Sequence, residues 1–375
     1  MNNHKDPLKD LNGTLSLRSK LVATHKSIVA QFPFISRIAI ALYDPDTNIL
    51  KTYIHSSGED NPLDHYESSL DNAPSLKALL KKGLPRVVNN LVTFETGENK
   101  HTKRIGRQGY ASSYTLPIFN DGIFIGFLFF NSYEQDVFTE NALQQIDVYA
   151  HMISLMVINE ITAIQTLSAA IKTTNKLTHI RDPETGSHLD RMSRYSRLIA
   201  KSLADEYKLD DRYIEHIFMF SPLHDIGKIG IPDNILLKPG KLNTSEKNIM
   251  NTHVTKGREI IDDLLDNFGL SNIDYKDMLR NIAEHHHEAV NGNGYPSGQK
   301  GDEIPLEARI VAVADVFDAL TSERPYKKAW SNEEAIKTLN ELAGELLDIN
   351  CVNALLSNMP EIEKIQKQFN ENIYC

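Results

Sequence analysis

Residues 30–142 alternate between strand-like and helical spacing of their apolar positions. Arg37-Ile-Ala-Ile-Ala-Leu-Tyr43 reads as a strand, Asp44-Pro-Asp-Thr-Asn48 as a turn, and Ile49 to Ile54 as the returning strand. A cleaner hairpin follows. Tyr114 to Phe119 and Ile123 to Asn131 flank Asn120-Asp-Gly122, and Asp-Gly supplies the left-handed conformations a tight hairpin turn needs. Ser75 to Lys82 has helical spacing and stops before Gly83, and a further helix starts at Thr139. From Leu143 to Thr178 there is no proline or glycine and the pattern stays helical. There Val157, Ile164 and Ile171 recur every seven residues beside Ile161 and Leu167, a seam that predicts a parallel helix pair between two chains. The competing reading is a helix packed on its own domain. Beyond Asp182-Pro183 the spacing is helical to about Asn358, broken by Gly-, Pro- and Asn-rich loops at 237–244 and 291–301.

A chain of 375 residues is long enough for two compact units. The pattern predicts a multidomain protein. An α+β domain with an antiparallel sheet and an N-terminal helix spans 1–158, a connecting helix 143–178, and an all-α helical bundle 172–375. Hydrophobic residues at 41% and charged residues at 24% fit a globular chain. The net charge of -10 argues against duplex nucleic acid, which needs broad basic faces, and leaves room for a small anion in a locally cationic cleft. Ile123 to Phe130 is too short to cross a bilayer, and Met1 to Asp6 lacks a signal-peptide core. Cys351 and Cys375 form no CxxC spacing. These features predict a cytoplasmic protein without membrane insertion.

Eight of the fourteen histidines fall between positions 179 and 287. Leu223-His-Asp-Ile-Gly-Lys228 is the centre of that stretch. On a helix His224 and Asp225 would point about 100° apart, so both ligate only by serving different metals or straddling a shared one. Gly227 permits close approach of a backbone or ligand, and Lys228 offers a point cation for phosphate. Glu184 and His188 are four apart and share a face if the segment is helical, although Gly186 weakens that helix. His253, the run Glu284-His-His-His-Glu288, and Asp315 complete the set. Asp315 interrupts the apolar helix Ile310 to Leu320, which is costly unless the carboxylate is paired or coordinated. Asp318 either caps that helix or supports the ligands from behind.

Two resemblances organise these residues. The element order from about 20 to 158, ending in "LPIFNDGIFIGFLFFNS" and "FTENALQQIDVYAHMIS", resembles a GAF domain, a small-molecule sensory module. Its His55, His65 and His101 are read as surface residues rather than haem ligands, and no cysteine is present there for a thioether-linked bilin. The chain from about 172 to 358 resembles the HD-GYP phosphodiesterases through "RDPETGSHLDRMSRYS", "SPLHDIGKIGIPDNILLKPGKL", "NTHVTKGREII", "HHEAVNGNGYPSG", "IPLEARIVAVADVFDALTSERPYKKAWS" and "LAGELLD". That resemblance implies metal ligands Glu184, His188, His224, Asp225, His253, His286, His287 and Asp315, with Asp225 bridging and His224, Asp225 and Lys228 at the catalytic centre. It implies substrate contacts at Lys228, Tyr295, Arg324 and Lys327, Tyr295 either stacking on guanine or donating to phosphate.

The implied activity is hydrolysis of cyclic di-GMP to pGpG and on to GMP, under control of the GAF-like domain. Imidazole and carboxylate donors without thiolate suit iron or manganese. Two divalent ions are expected, and a third through Glu184. Gly294-Tyr-Pro296 lies in a loop, Gly292 to Gly298, expected to close over the ligand and to offer a surface to other signalling proteins. The sequence departs from the family in its three consecutive histidines, where spacing selects His286 and His287 and leaves His285 as a solvated or supporting residue. Leu264 to Asp277 is longer than usual and is expected to alter the edge of the site. Leu347-Asp-Ile-Asn350 replaces a commoner Phe-Asp-Pro. The rival readings are an HD phosphohydrolase for another cyclic dinucleotide and a cyclic di-GMP receptor that binds without cleaving.

Overall fold

The structure is a computed structural model that describes residues 6–57, 65–91, 109–178, 186–268, 270, 273–323 and 329–370; the side chains of 10, 167, 168, 170–178 and 186 also lie outside it. Two compact units are present, Met1–Thr162 and Ala163–Cys375.

In the first unit a helix, α1 (Leu17–Gln31), precedes strands β1 (Arg37–Asp44), β2 (Ile49–Ser57) and β3 (Glu67–Ser69). Helix α2 (Pro74–Lys82), β4 (Arg86–Val88), β5 (Ser112–Asn120), β6 (Ile123–Ser132) and α3 (Glu140–Thr178) follow. The strands form one antiparallel sheet in the order β3-β2-β1-β6-β5-β4. At the β5–β6 turn Asp121 and Gly122 have φ of 48° and 80°, the paired left-handed residues that the Asp-Gly signal predicts. One sheet face carries Ile38, Tyr53, Tyr114, Leu116, Leu128 and Phe130, packed with Leu21 and Ile28 of α1 and Ile146, Ile153 and Val157 of α3. The other carries Leu50 and Phe127 under Leu76 and Leu79 of α2.

Burial corrects the dimer seam. Val157 and Ile161 are 0% and 5% exposed inside the first unit's own core, and Ile164 is buried in the second unit's core. Their spacing therefore records packing within the chain. Leu167 and Ile171 have side chains outside the described residues. Among the described residues of α3 the exposed large apolar side chains are Val148 and Leu155, 70% and 65% exposed. His25 of α1, which the sequence reading passed over, is buried between Ser56 Oγ (2.8 Å) and the Ile35 carbonyl (3.1 Å); burial pushes its pKa down. His55 and His65 are half-buried, and His101 lies outside the described residues.

The second unit is helical: α4 (Gly186–Ser202), α5 (Ala204–Tyr207), α6 (Asp211–Phe220), α7 (Asp233–Leu236), α8 (Thr244–Asn251), α9 (His253–Asn267), α10 (Lys276–His285), α11 (Leu306–Thr321), α12 (Asn332–Leu342), α13 (Ile349–Leu356) and α14 (Met359–Gln368). Met192, Tyr195 and Ile199 of α4 lie three and four residues apart and are fully buried against Val313 and Phe317 of α11 and Ile282 of α10. The long segment Leu264 to Asp277 packs toward α6, where Tyr275 donates to Asp210 (2.8 Å) and stacks on His216, and Asp274 pairs with Arg212 (2.7 Å). The replaced tetrad near the C-terminus is structural: Asp348 accepts from Asn350 N and Cys351 N to cap α13 and pairs with Arg309. Cys351 is buried and unbridged, while Cys375 lies outside the described residues. No described helix is long and apolar enough to cross a membrane.

Candidate metal centre

His224 and Asp225 do not sit on a regular α-helix. One 3-10 turn ends at Leu223 and a second runs from Ile226 to Gly230. The break between them swings the adjacent side chains toward one point, and His224 Nε2 lies 3.2 Å from Asp225 Oδ2. Gly227 explains the tightness. A Cβ there would stand 1.8 Å from the His253 carbonyl oxygen and 2.4 Å from Gly257 N, so α9 approaches this turn backbone to backbone.

Seven of the eight expected ligands form two neighbouring groups. Asp225, His253, His286 and His287 make one; His188, His224 and Asp315 make the other, the donor atoms within each lying within 4.8 Å of one another. Asp225 faces both. Its Oδ1 is 3.2 Å from His253 Nε2 and 3.6 Å from His286 Nε2, while its Oδ2 faces His224. Asp315 Oδ1 is 3.7 Å from His188 Nε2 and 4.0 Å from His224 Nε2. Glu184 lies outside the described residues.

The outer ring nitrogens set the tautomers. His224 Nδ1 is 3.0 Å from the Ser221 carbonyl, His253 Nδ1 2.8 Å from that of Met250, and His286 Nδ1 2.8 Å from that of Ile282. A carbonyl only accepts, so each Nδ1 carries the proton and each Nε2 lone pair points inward. In the fourth histidine, His188 Nδ1 donates to Asp318 Oδ2 at 2.7 Å. Burial, more than the neighbouring charges, holds His286 and His287 below the usual imidazole pKa, so both stay neutral. Asp225 is held well below the ordinary carboxylate range: burial pushes it up, but the Lys228 ammonium 2.8 Å away acts against that.

These residues fit a cation. His253 Nε2, His286 Nε2 and Asp225 Oδ1 are buried, converge, and have no hydrogen-bond partner. Such a group of orphaned acceptors costs stability unless something electropositive sits among them. The donors are nitrogen and oxygen only, the set preferred by metals harder than those thiolates select.

The surroundings hold residues the sequence reading did not single out. Arg191 donates from Nε and Nη2 to both oxygens of Asp318 (2.7 and 2.9 Å), and Nη2 also to Ser322 Oγ (2.6 Å). Asp318 is thus the support behind His188, not a cap. The i, i+3 spacing of His188 and Arg191 on α4 was the available signal. Lys228 Nζ rests on Asp225 Oδ2 at 2.8 Å. The Tyr295 ring lies on His287, centroids 4.9 Å apart and planes at 30°, so one of its faces is taken. Arg324 and Lys327 lie outside the described residues. His285 is buried rather than solvated and stays outside both groups, with Nε2 3.8 Å from Glu284 and Nδ1 3.9 Å from Glu288.

Comparison with known proteins accords with this geometry. Residues 183–351 match the family model of the HD domain. The chain is 46% identical over 189 residues to the cyclic di-GMP phosphodiesterase response regulator RpfG of Xanthomonas campestris, covering 50% of this chain and 47% of that one. It is 39% identical over 186 residues to the 3'3'-cGAMP-specific phosphodiesterase 2 of Vibrio cholerae, covering 50% and 34%. The chain thus spans half or less of the length of these relatives. The phycocyanobilin-bound GAF domain from a cyanobacterial phytochrome matches 41% of this chain and 90% of its own, at 18% identity and a TM-score of 0.33. The second unit, with its paired histidine–aspartate groups, is an HD domain.

Proposed function

We propose that the chain is a cyclic di-GMP phosphodiesterase of the HD-GYP type, using two or three divalent cations, iron or manganese. What supports this most is Asp225, whose two oxygens face two separate groups of inward-pointing donors. Asp225, His253, His286 and His287 would hold one cation, and His188, His224 and Asp315 another, with Asp225 shared. Glu184 would join His188 at a third. When bound, such cations supply Lewis acidity toward the phosphate and toward water. Lys228, whose Nζ rests 2.8 Å from Asp225 Oδ2, would pair with the substrate phosphate. Arg324 and Lys327 offset the remaining phosphate charge. Tyr295 presents its open face, or its hydroxyl, beside His287. The products are pGpG and then GMP.

The first unit serves as a GAF-like regulator in a cytoplasmic protein. A second copy of the chain would meet α3 at Val148 and Leu155, the exposed positions, and the Gly294-Tyr-Pro296 turn would meet other signalling proteins. The test is turnover by metal-loaded protein of cyclic di-GMP beside 3'3'-cGAMP and mononucleotides. The similarity to a 3'3'-cGAMP-specific relative makes that hybrid the second candidate substrate. Fast cleavage of cGAMP with cyclic di-GMP untouched would replace the substrate assignment. Tight binding of cyclic di-GMP without cleavage would favour a receptor.

A further inference from the structure

One buried carboxylate takes two backbone N–H groups of the segment that follows Tyr295. Glu288 Oε1 accepts from Ser297 N–H at 2.7 Å and Oε2 from Gln299 N–H at 3.1 Å. The glutamate side chain is fully buried. On the other side of the turn, Tyr295 N–H donates to the His287 carbonyl at 3.2 Å. Gly294 lies flat on the same stretch, since a Cβ there would come within 2.5 Å of Glu288 Cα and 2.3 Å of Ala289 N. The loop is therefore folded back on His287–Ala289 and bound on both sides of the Tyr295–Pro296 step. The backbone N–H groups of Tyr295, Ser297 and Gln299 are thus already engaged in this arrangement.

We propose that Glu288 is a positioning residue that acts through Tyr295, holding the phenol ring against His287 before substrate arrives. This rests on the reading that Tyr295 meets the substrate. A buried carboxylate accepting from two backbone N–H groups is demanding. It must find donors or stay uncompensated, and the backbone of residues 297–299 supplies them. His285 Nδ1 lies 3.9 Å from Glu288 Oε1. The extra histidine of the run thus lies beside the loop anchor, one residue before the first ligand. Glutamine in place of Glu288 keeps one acceptor but turns an NH2 group toward the other backbone N–H, so one tether is lost at nearly constant volume.

The experiment is a double-mutant cycle in the full, metal-loaded chain with E288Q, Y295A and both together. Metal content, cyclic di-GMP binding by calorimetry, KM and kcat are measured for each. The expected result is that E288Q weakens binding and raises KM by about 10- to 100-fold, the cost of misplacing a contact group, with metal content unchanged. In the Y295A background, E288Q then adds less than about twofold, because coupled residues are not additive. Additive effects, an unaffected KM, or loss of metal in E288Q would overturn the proposal, the last by showing that Glu288 acts on His287. If E288Q does not fold, G294A replaces it in the cycle: its Cβ would press on the Glu288–Ala289 backbone and displace the loop with the carboxylate itself retained, and the same non-additivity with Y295A is expected. A wild type that binds but does not cleave sinks the phosphodiesterase reading and leaves the cycle readable in binding; one that does neither sinks both.

Discussion

His188 and Asp318, 130 residues apart in sequence, are joined by a 2.7 Å hydrogen bond from Nδ1 to Oδ2. That bond fixes the imidazole so that Nε2 faces Asp315 and His224. Asp318 in turn neutralises Arg191, and burial alone would leave its carboxyl protonated far more readily than these two partners allow. Asp318→Asn should weaken metal binding 10- to 100-fold, the usual cost of losing such a supporting carboxylate. It should also cost about 3 kcal/mol of stability by removing the buried carboxylate that Arg191 donates to. Metal titration and chemical denaturation check the two effects separately. An unchanged metal affinity would mean that His188 needs no orienting partner.

Gly227→Ala should be among the most damaging small substitutions in the second unit. Its Cβ would meet backbone rather than a side chain, at 1.8 Å from the His253 carbonyl oxygen. Either the turn bearing His224 and Asp225 or the start of α9 must move. A loss of about 3 kcal/mol or more is expected, with metal content falling alongside. Thermal unfolding and metal analysis of the variant read this directly, and a native-like midpoint would show that the two backbones are farther apart.

His216 gives the second unit a pH dependence unconnected with the metal centre. It is buried, and burial reinforced by Arg212 lowers its pKa to about 3, while its Nδ1 donates to the Arg212 carbonyl at 2.7 Å. Between pH 3 and 6.5 the unfolded chain binds a proton there that the folded chain does not. Stability should therefore be fully present above pH 6.5 and fall as pH drops toward 3. Denaturation across that range should show a shallower slope for His216→Phe than for the wild type. Equal slopes would contradict the assignment.

Leu155→Lys tests the exposed stripe of α3. The side chain is 65% exposed, so the monomer should tolerate lysine with little change in unfolding midpoint. If a second chain packs at Val148 and Leu155, sedimentation should shift from dimer to monomer. A variant that stays dimeric places the contact elsewhere.

Much of this organisation was legible in the sequence where local chemistry dominates. The Asp121-Gly122 turn, the strands around it and the helix from Glu140 follow from spacing and backbone preference. β4, only Arg86-Val-Val88, carries no alternation to detect, and its place comes from pairing with Ser113–Thr115. The histidines could be collected by motif, yet their grouping could not. That depends on the break between two 3-10 turns at His224–Asp225 and on carbonyls of Ser221, Met250 and Ile282, which no side-chain pattern encodes. The seven-residue spacing of Val157 and Ile164 misled because period alone does not say whether the partner is another chain or the helix's own core. Arg191 went unread, and Glu288 was read only as the end of the histidine run, because a charged residue near a motif usually faces water and only the fold turns these two inward.

The shared role of Asp225 is the claim on which the rest depends, and metal stoichiometry tests it most directly. Quantified by mass spectrometry after anaerobic loading with iron or manganese and removal of free ions, the wild type should retain at least two ions per chain. Asp225→Ala should retain fewer than one, since both groups lose a donor. One ion or none in the wild type, or an undiminished count in the variant, would contradict it.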